Sequence, residues 1–190
     1  MNPVSPIILA VLALLALYGI VLYNRLVNLK HNVSMAWANI DVLLKQRHDE
    51  LPKLVEACKQ YMRYERDTLE AVMRARQAVA DAQQRGDLAT LGAAESQLRL
   101  GLGQLFAVVE AYPELRASDH FRHLETRITG LESAIADRRE FYNDSVNLNN
   151  VRIEQFPDVV IAQLFHFTPF RLLEFTEPEK QDVDLARLFR

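Results

Sequence analysis

From Met1 to Asn24 the chain carries no Asp, Glu, Lys, Arg or His, and Ile7 to Tyr23 is almost wholly apolar. Nothing else constrains the fold as tightly. As a helix, such a run sits at the short end of what crosses a hydrocarbon core about 30 Å thick. Val4, Ser5 and Asn24 extend it without placing charge in lipid. A cleaved secretory signal would want a basic start, a shorter apolar stretch and a small-residue cleavage site. Here the start is MNPVSP and the run ends Tyr-Gly-Ile-Val-Leu-Tyr. The pattern favours a retained transmembrane anchor over residues 1–24, in contact with the bilayer through 7–23. Arg25 and Lys30 flank it on the far side, so the positive-inside bias places the N-terminus outside and the bulk of the chain in the cytoplasm. Tyr18 and Tyr23 suit the aromatic belt at the membrane surface.

The rest of the chain is long enough to bury a core of its own. Its 22 basic and 25 acidic residues are interspersed and leave a formal charge of −3. That excludes a basic patch for nucleic acid. The single cysteine, Cys58, excludes an intramolecular disulfide and a cysteine-based metal cluster, and suits a reducing compartment.

Between Ile7 and Phe156 only Pro52 and Pro113 interrupt, with six glycines. The apolar positions have the helical period. One stripe runs Val33, Trp37, Ile40, Leu44, past Arg47 to Leu51, Leu54, Cys58, Tyr61, Val72 and Val79. Pro52 leaves two readings: a kink in one helix from the membrane to Gln84, or a tight turn at His48-Asp49-Glu50 with proline in a first helical turn. The unbroken phase and the absence of a nearby glycine favour the kink. Gly86 can cap the end of this helix and Asp87 the start of the next, which runs to about Ala111 and is stopped by Tyr112-Pro113. Ser118 or Asp119 then caps a long pattern, Phe121, Leu124, Ile128, Leu131, Ile135, Arg138, Tyr142, Val146, Asn149 and Ile153, closed by Phe156-Pro157. The expected fold is all-α: an N-terminal transmembrane helix, then an antiparallel, four-helix-bundle-like domain over 25–156. Residues 157–190 form an aromatic-rich short helix, capped by Asp158, and a polar, extended tail. The five phenylalanines of FPDVVIAQLFHFTPFRLLEF read first as a lid on the bundle end, and second as a membrane or oligomer contact.

The segments YNRLVNLKHNV, AWANIDVLLKQRHDELPKLVEACKQYMRYE and FYNDSVNLNNVRIEQFPDVVIAQLFHF, in this order behind an apolar anchor, resemble the LemA family of bacterial membrane proteins over residues 7 to about 170. The resemblance implies an N-out, C-in single-pass protein of the inner membrane with a helical bundle. It implies no activity.

Chemical motifs are few. Glu-x-x-His, H-E-x-x-H, G-x-S-x-G and the phosphate-loop motif do not occur. His120-x-x-His123 with Glu125 nearby would need further ligands to hold a metal and reads as a solvated pair. Cys58 falls on the core stripe. Gly101-Leu102-Gly103 reads as close helix packing. Arg47 and Arg138 fall on seam positions and would need carboxylates if buried, with Glu65, Asp49 or Glu50 as candidates; at the edge they would reach water. Catalytic residues, metal ligands, cofactors and a small-molecule substrate are therefore not expected.

An internal echo relates Tyr23-Asn24-x-x-Val27-Asn28-Leu29 to Tyr142-Asn143-x-x-Val146-Asn147-Leu148. Asn24, Asn28 and Asn32 share a helical face, and Asn143, Asn147 and Asn150 nearly do. Amide rows can fix register across an interface, or they can be solvated surface. Taken as interface candidates, Tyr23, Asn24, Asn28, Asn32, Tyr142, Asn143, Asn147 and Asn150 point to a membrane-anchored structural or scaffold protein, not an enzyme. It is expected to associate with itself or with a protein partner. The alternative is a signalling adaptor coupling the membrane to a cytoplasmic partner, disfavoured because about six residues would lie outside.

Overall fold

The computed structural model describes residues 4–174, and among them every regular element is helical. The order is α1 (Val4–Lys59), α2 (Arg66–Arg85), α3 (Leu88–Val109), α4 (Pro113–Ala117), α5 (Asp119–Glu154) and α6 (Asp158–Leu164). The tail expected to be extended lies outside the described residues from Phe175 onward. Two compact units divide the described chain: residues 40–137 with 173–174, and residues 4–39 with 138–172. The expected boundaries at 24/25 and 156/157 follow composition, whereas the contacts divide inside α1 and α5.

The first unit is a four-helix bundle. Asp41 receives a hydrogen bond from Gln83, and His48 meets Arg76, so α1 and α2 run antiparallel. Arg47 reaches Glu132, and Glu50 reaches Arg127, so α1 and α5 are antiparallel as well. Leu44, Leu51, Leu54 and Cys58 of α1 fill the core with Val72 and Val79 of α2, Leu91, Leu98 and Leu105 of α3, and Phe121 and Ile128 of α5. Gly101 faces Val72. Gly86 ends α2 in the left-handed region at φ 65°, with its N–H and that of Asp87 bonded back to Gln83 and Ala82. The Asp87 carboxylate accepts from the N–H groups of Ala89 and Thr90 and so caps α3. Pro113 opens α4 at its first turn, where a missing N–H is harmless. Ser118 caps α5 by accepting from the Phe121 N–H.

Pro52 lies inside α1, and no turn forms at His48–Glu50. The proline cannot donate to the carbonyl four residues earlier. That carbonyl belongs to His48, and Arg76 Nε donates to it at 2.8 Å instead. The expected continuous helix to Gln84 is nevertheless incorrect. α1 stops at Lys59, and residues 60–65 form a link in which the Met62 and Tyr61 N–H groups both bond to the Cys58 carbonyl. No glycine or proline marks this break. Met62 is buried at the turn while Tyr61 and Tyr64 face solvent. Burial of Met62 against the bundle end outweighs continuation of the stripe. Tyr61 is therefore not a core residue.

In the second unit, the 22–39 part of α1 packs antiparallel on the 138–154 part of α5. Trp37 meets Tyr142 edge-on at 5.6 Å, and Leu26 clusters with Ile153 and with Ala162 of α6. Trp37 is only partly buried.

Candidate interaction surfaces

Arg47 is 1% exposed, and its guanidinium pairs with Glu95 of α3 and Glu132 of α5, the latter at 2.6 Å. Burial alone would lower its pKa, but the two carboxylates outweigh this and raise it. The partners are not Glu65, Asp49 or Glu50, because the arginine points across the bundle and not along its own helix. Glu50 pairs instead with Arg127 and Lys53. Arg138 is exposed. The triad ties three helices in one register, and it is structural. Cys58 is fully buried, and burial pushes its thiol up to about 12, with Glu125 adding to the shift. That is unfavourable for a nucleophile. His120 and His123 are both exposed. Among the described residues no group of three or more His, Cys, Asp or Glu gathers as metal ligands would.

In the bundle unit an open groove of about 850 Å³ lies beside the 60–65 link. Val55, Met62, Leu69 and Met73 form its apolar floor, and Lys59, Arg63, Arg66 and Arg74 stand around it with Glu70.

In the other unit, the amide rows separate. Asn24, Asn28 and Asn32 are exposed on α1, as are Arg25 and Lys30. Tyr142 is buried, and its hydroxyl donates to the Arg171 carbonyl at 2.9 Å. Asn150 clamps Phe170, donating to its carbonyl at 2.8 Å and accepting from its N–H at 2.9 Å. Asn149, on the predicted seam, is buried and donates to Asn150. Tyr142 and Asn150 therefore hold the C-terminal segment of their own chain. Asn143 is partly buried and Asn147 exposed. Tyr23 packs on Phe165 and Phe167, with ring centroids at 4.7 and 5.9 Å. Asp158 does not cap α6; it lies within the helix, buried, and pairs with Arg152 at 3.6 Å.

Sequence periodicity did not single out the outward side of α5, where Phe141, Leu148 and Val151 are exposed beside Asn147. The apolar segment of α1 is likewise exposed, and by length and composition it can cross a membrane.

Two magnetosome proteins show local similarity to this chain. MamQ 2 of Paramagnetospirillum magneticum is 39% identical over 72 residues, 38% of this chain and 26% of that protein. MamQ of Magnetospirillum gryphiswaldense is 35% identical over 74 residues, 39% of this chain and 26% of that protein. The matched region thus spans about a quarter of these relatives. Protein LemA of Metamycoplasma hominis is 25% identical over 165 residues, 87% of this chain and 74% of that protein. None of these names denotes an enzyme. The LemA family pattern matches residues 36–186, which take in α1 from residue 36 and all of α2 to α6, and the chain belongs to the LemA family.

Proposed function

We propose that this protein is a non-catalytic, membrane-anchored scaffold that self-associates through the outward face of α5. α1 crosses the inner membrane with its N-terminus outside, and the bundle lies in the cytoplasm. The observation that carries the reading is the exposed stripe of Phe141, Leu148 and Val151, flanked by Asn147. Soluble surfaces seldom leave such side chains together without a partner. Asn147, and Asn24, Asn28 and Asn32 on α1, supply amides that can fix the register of two copies.

Light scattering of the full chain in detergent tests this. Native protein should run as an oligomer, and Phe141→Gln with Leu148→Gln should shift it to monomer with unchanged helical circular dichroism. A native monomer, or an unshifted double variant, rejects the self-association. Orientation is tested separately: protease added to right-side-out cells should leave a C-terminal tag intact. A second reading, recruitment of an acidic partner segment, is favoured by the arginines around the apolar groove. Arg63→Glu with Arg66→Glu should abolish such recruitment without altering the oligomer.

A further inference from the structure

We propose that α6 and the aromatic segment after it seat in the headgroup–acyl boundary of the bilayer that α1 crosses, giving the protein a second, monotopic membrane contact. This rests on the anchoring reading above. Position carries it first. Ile161 of α6 lies against Gly19, where an added Cβ would stand 3.9 Å from its Cδ1, and Phe165 and Phe167 lie on Tyr23. Gly19 is four residues inside the end of the apolar run at Tyr23, about 6 Å along a helix axis. Interfacial helices sit about 5–10 Å into that boundary. The depth that α6 inherits from its neighbour is therefore the depth such helices occupy.

Exposure gives the second reason. Ala162 and Ile161 join Leu26, Leu29 and Ile153 in a cluster, which fixes the inward side of α6. The other side presents Val160 and Leu164, 56% and 67% exposed; Phe156, in the turn before the helix, is 83% exposed, and Phe165 just after it 53%. These are among the most exposed large apolar side chains outside the anchor. From Phe156 to Phe170, Asp158 is the sole Asp, Glu, Lys or Arg, and it is buried against Arg152. No charge on this segment opposes insertion.

A cation, Lys30, stands where headgroups would be. A cleft of about 340 Å³ beside the aromatic segment is bounded by Tyr23, Lys30, His31 and His166. Lys30 is seven residues past Tyr23, about 10 Å along α1, and its stem can reach back toward the phosphate layer. Anionic phospholipid is the surface this arrangement fits.

The test uses the full chain in vesicles of phosphatidylcholine with phosphatidylglycerol. A nitroxide is placed by Leu164→Cys or Phe156→Cys, with Leu14→Cys as anchor reference and Tyr64→Cys as a solvent reference on the bundle. Cys58, buried, stays unlabelled. Collision with oxygen relative to a water-soluble nickel chelate reports depth. The labels at 164 and 156 should give ratios several-fold above that at 64 and below that at 14. Ratios equal to that at 64, with a high value at 14, overturn the inference and leave the anchor standing. A low value at 14 removes both. Immobilised labels at 164 and 156, shielded from both reagents in detergent as in vesicles, would assign this face to a second copy and also overturn it. Each substituted position is exposed, and circular dichroism verifies that each variant is folded.

Discussion

Removing the Arg76 guanidinium should matter chiefly because residue 52 is proline. Pro52 leaves the His48 carbonyl without its helical donor, and Arg76 Nε supplies the replacement at 2.8 Å. A hydrogen bond from a charged donor contributes about 1.5–3 kcal/mol, and a buried acceptor left unsatisfied costs about 1–3 kcal/mol. Arg76 and His48 are partly buried, so Arg76→Met, which keeps much of the apolar stem, should cost near the low end, about 1–2 kcal/mol. In a Pro52→Ala background the alanine N–H can close the normal helical bond. There the same Arg76→Met should cost less, since only the contact with the His48 ring is lost, and the cycle should show about 1 kcal/mol of coupling. Urea unfolding of the four proteins, followed by circular dichroism at constant detergent, measures it. An equal cost in both backgrounds would refute the argument, for then Arg76 would act through packing or through the His48 ring and not through the carbonyl.

His48 Nε2 accepts from Arg76 at 2.6 Å, and burial, then Arg76, hold its pKa below the usual value, with Asp49 opposing. The neutral ring is favoured when folded, so its contribution is present above about pH 6.5 and is lost as pH falls through that value toward the lower folded pKa. Melting temperature should decline over that window, and less so in His48→Gln. Arg47→Met removes the buried guanidinium that pairs with both Glu95 and Glu132 and should cost about 3–5 kcal/mol, whereas replacing Arg47, Glu95 and Glu132 together by Met and Leu should cost far less; denaturant titration distinguishes the two. A Cβ on Gly92 would overlap the Glu174 carbonyl oxygen, while one on Gly130 meets open space. Gly92→Ala should therefore lower the melting temperature, and Gly130→Ala should raise stability by about 0.5–1 kcal/mol.

The caps at Gly86, Asp87 and Ser118 were legible in the sequence because local chemistry sets them. Gly86 and Asp87 at one turn, and Ser118 before α5, satisfy orphan backbone groups wherever the rest of the chain lies. The buried stripe of α5 from Phe121 to Ile153 was legible for a similar reason: nine of its ten positions are buried, and only Arg138 departs. What escaped depends on partners far along the chain. The break at 60–65 has no local signal, since it follows from where Met62 finds a core. Arg47 could be seen as a seam arginine in need of carboxylates, but Glu95 and Glu132 stand 48 and 85 residues away.

The C-terminal aromatics show the limit most clearly. The sequence offered a lid on the bundle end or a membrane or oligomer contact, and the choice turns on which residues the aromatics touch. Tyr23 holds Phe165 and Phe167, and Gly19 receives Ile161. An alanine at Gly19 meets Ile161 at ordinary van der Waals distance, so a small side chain is tolerated there, but a bulky one would lift α6 away from α1. Gly19→Leu should therefore loosen α6, and labels at Leu164 should gain mobility while those on the bundle do not. Asn150→Ala, which releases Phe170 further along, should add to that mobility by a separate route. If neither change moves the label, the segment is held by something other than these contacts, and its depth could not be inferred from Gly19.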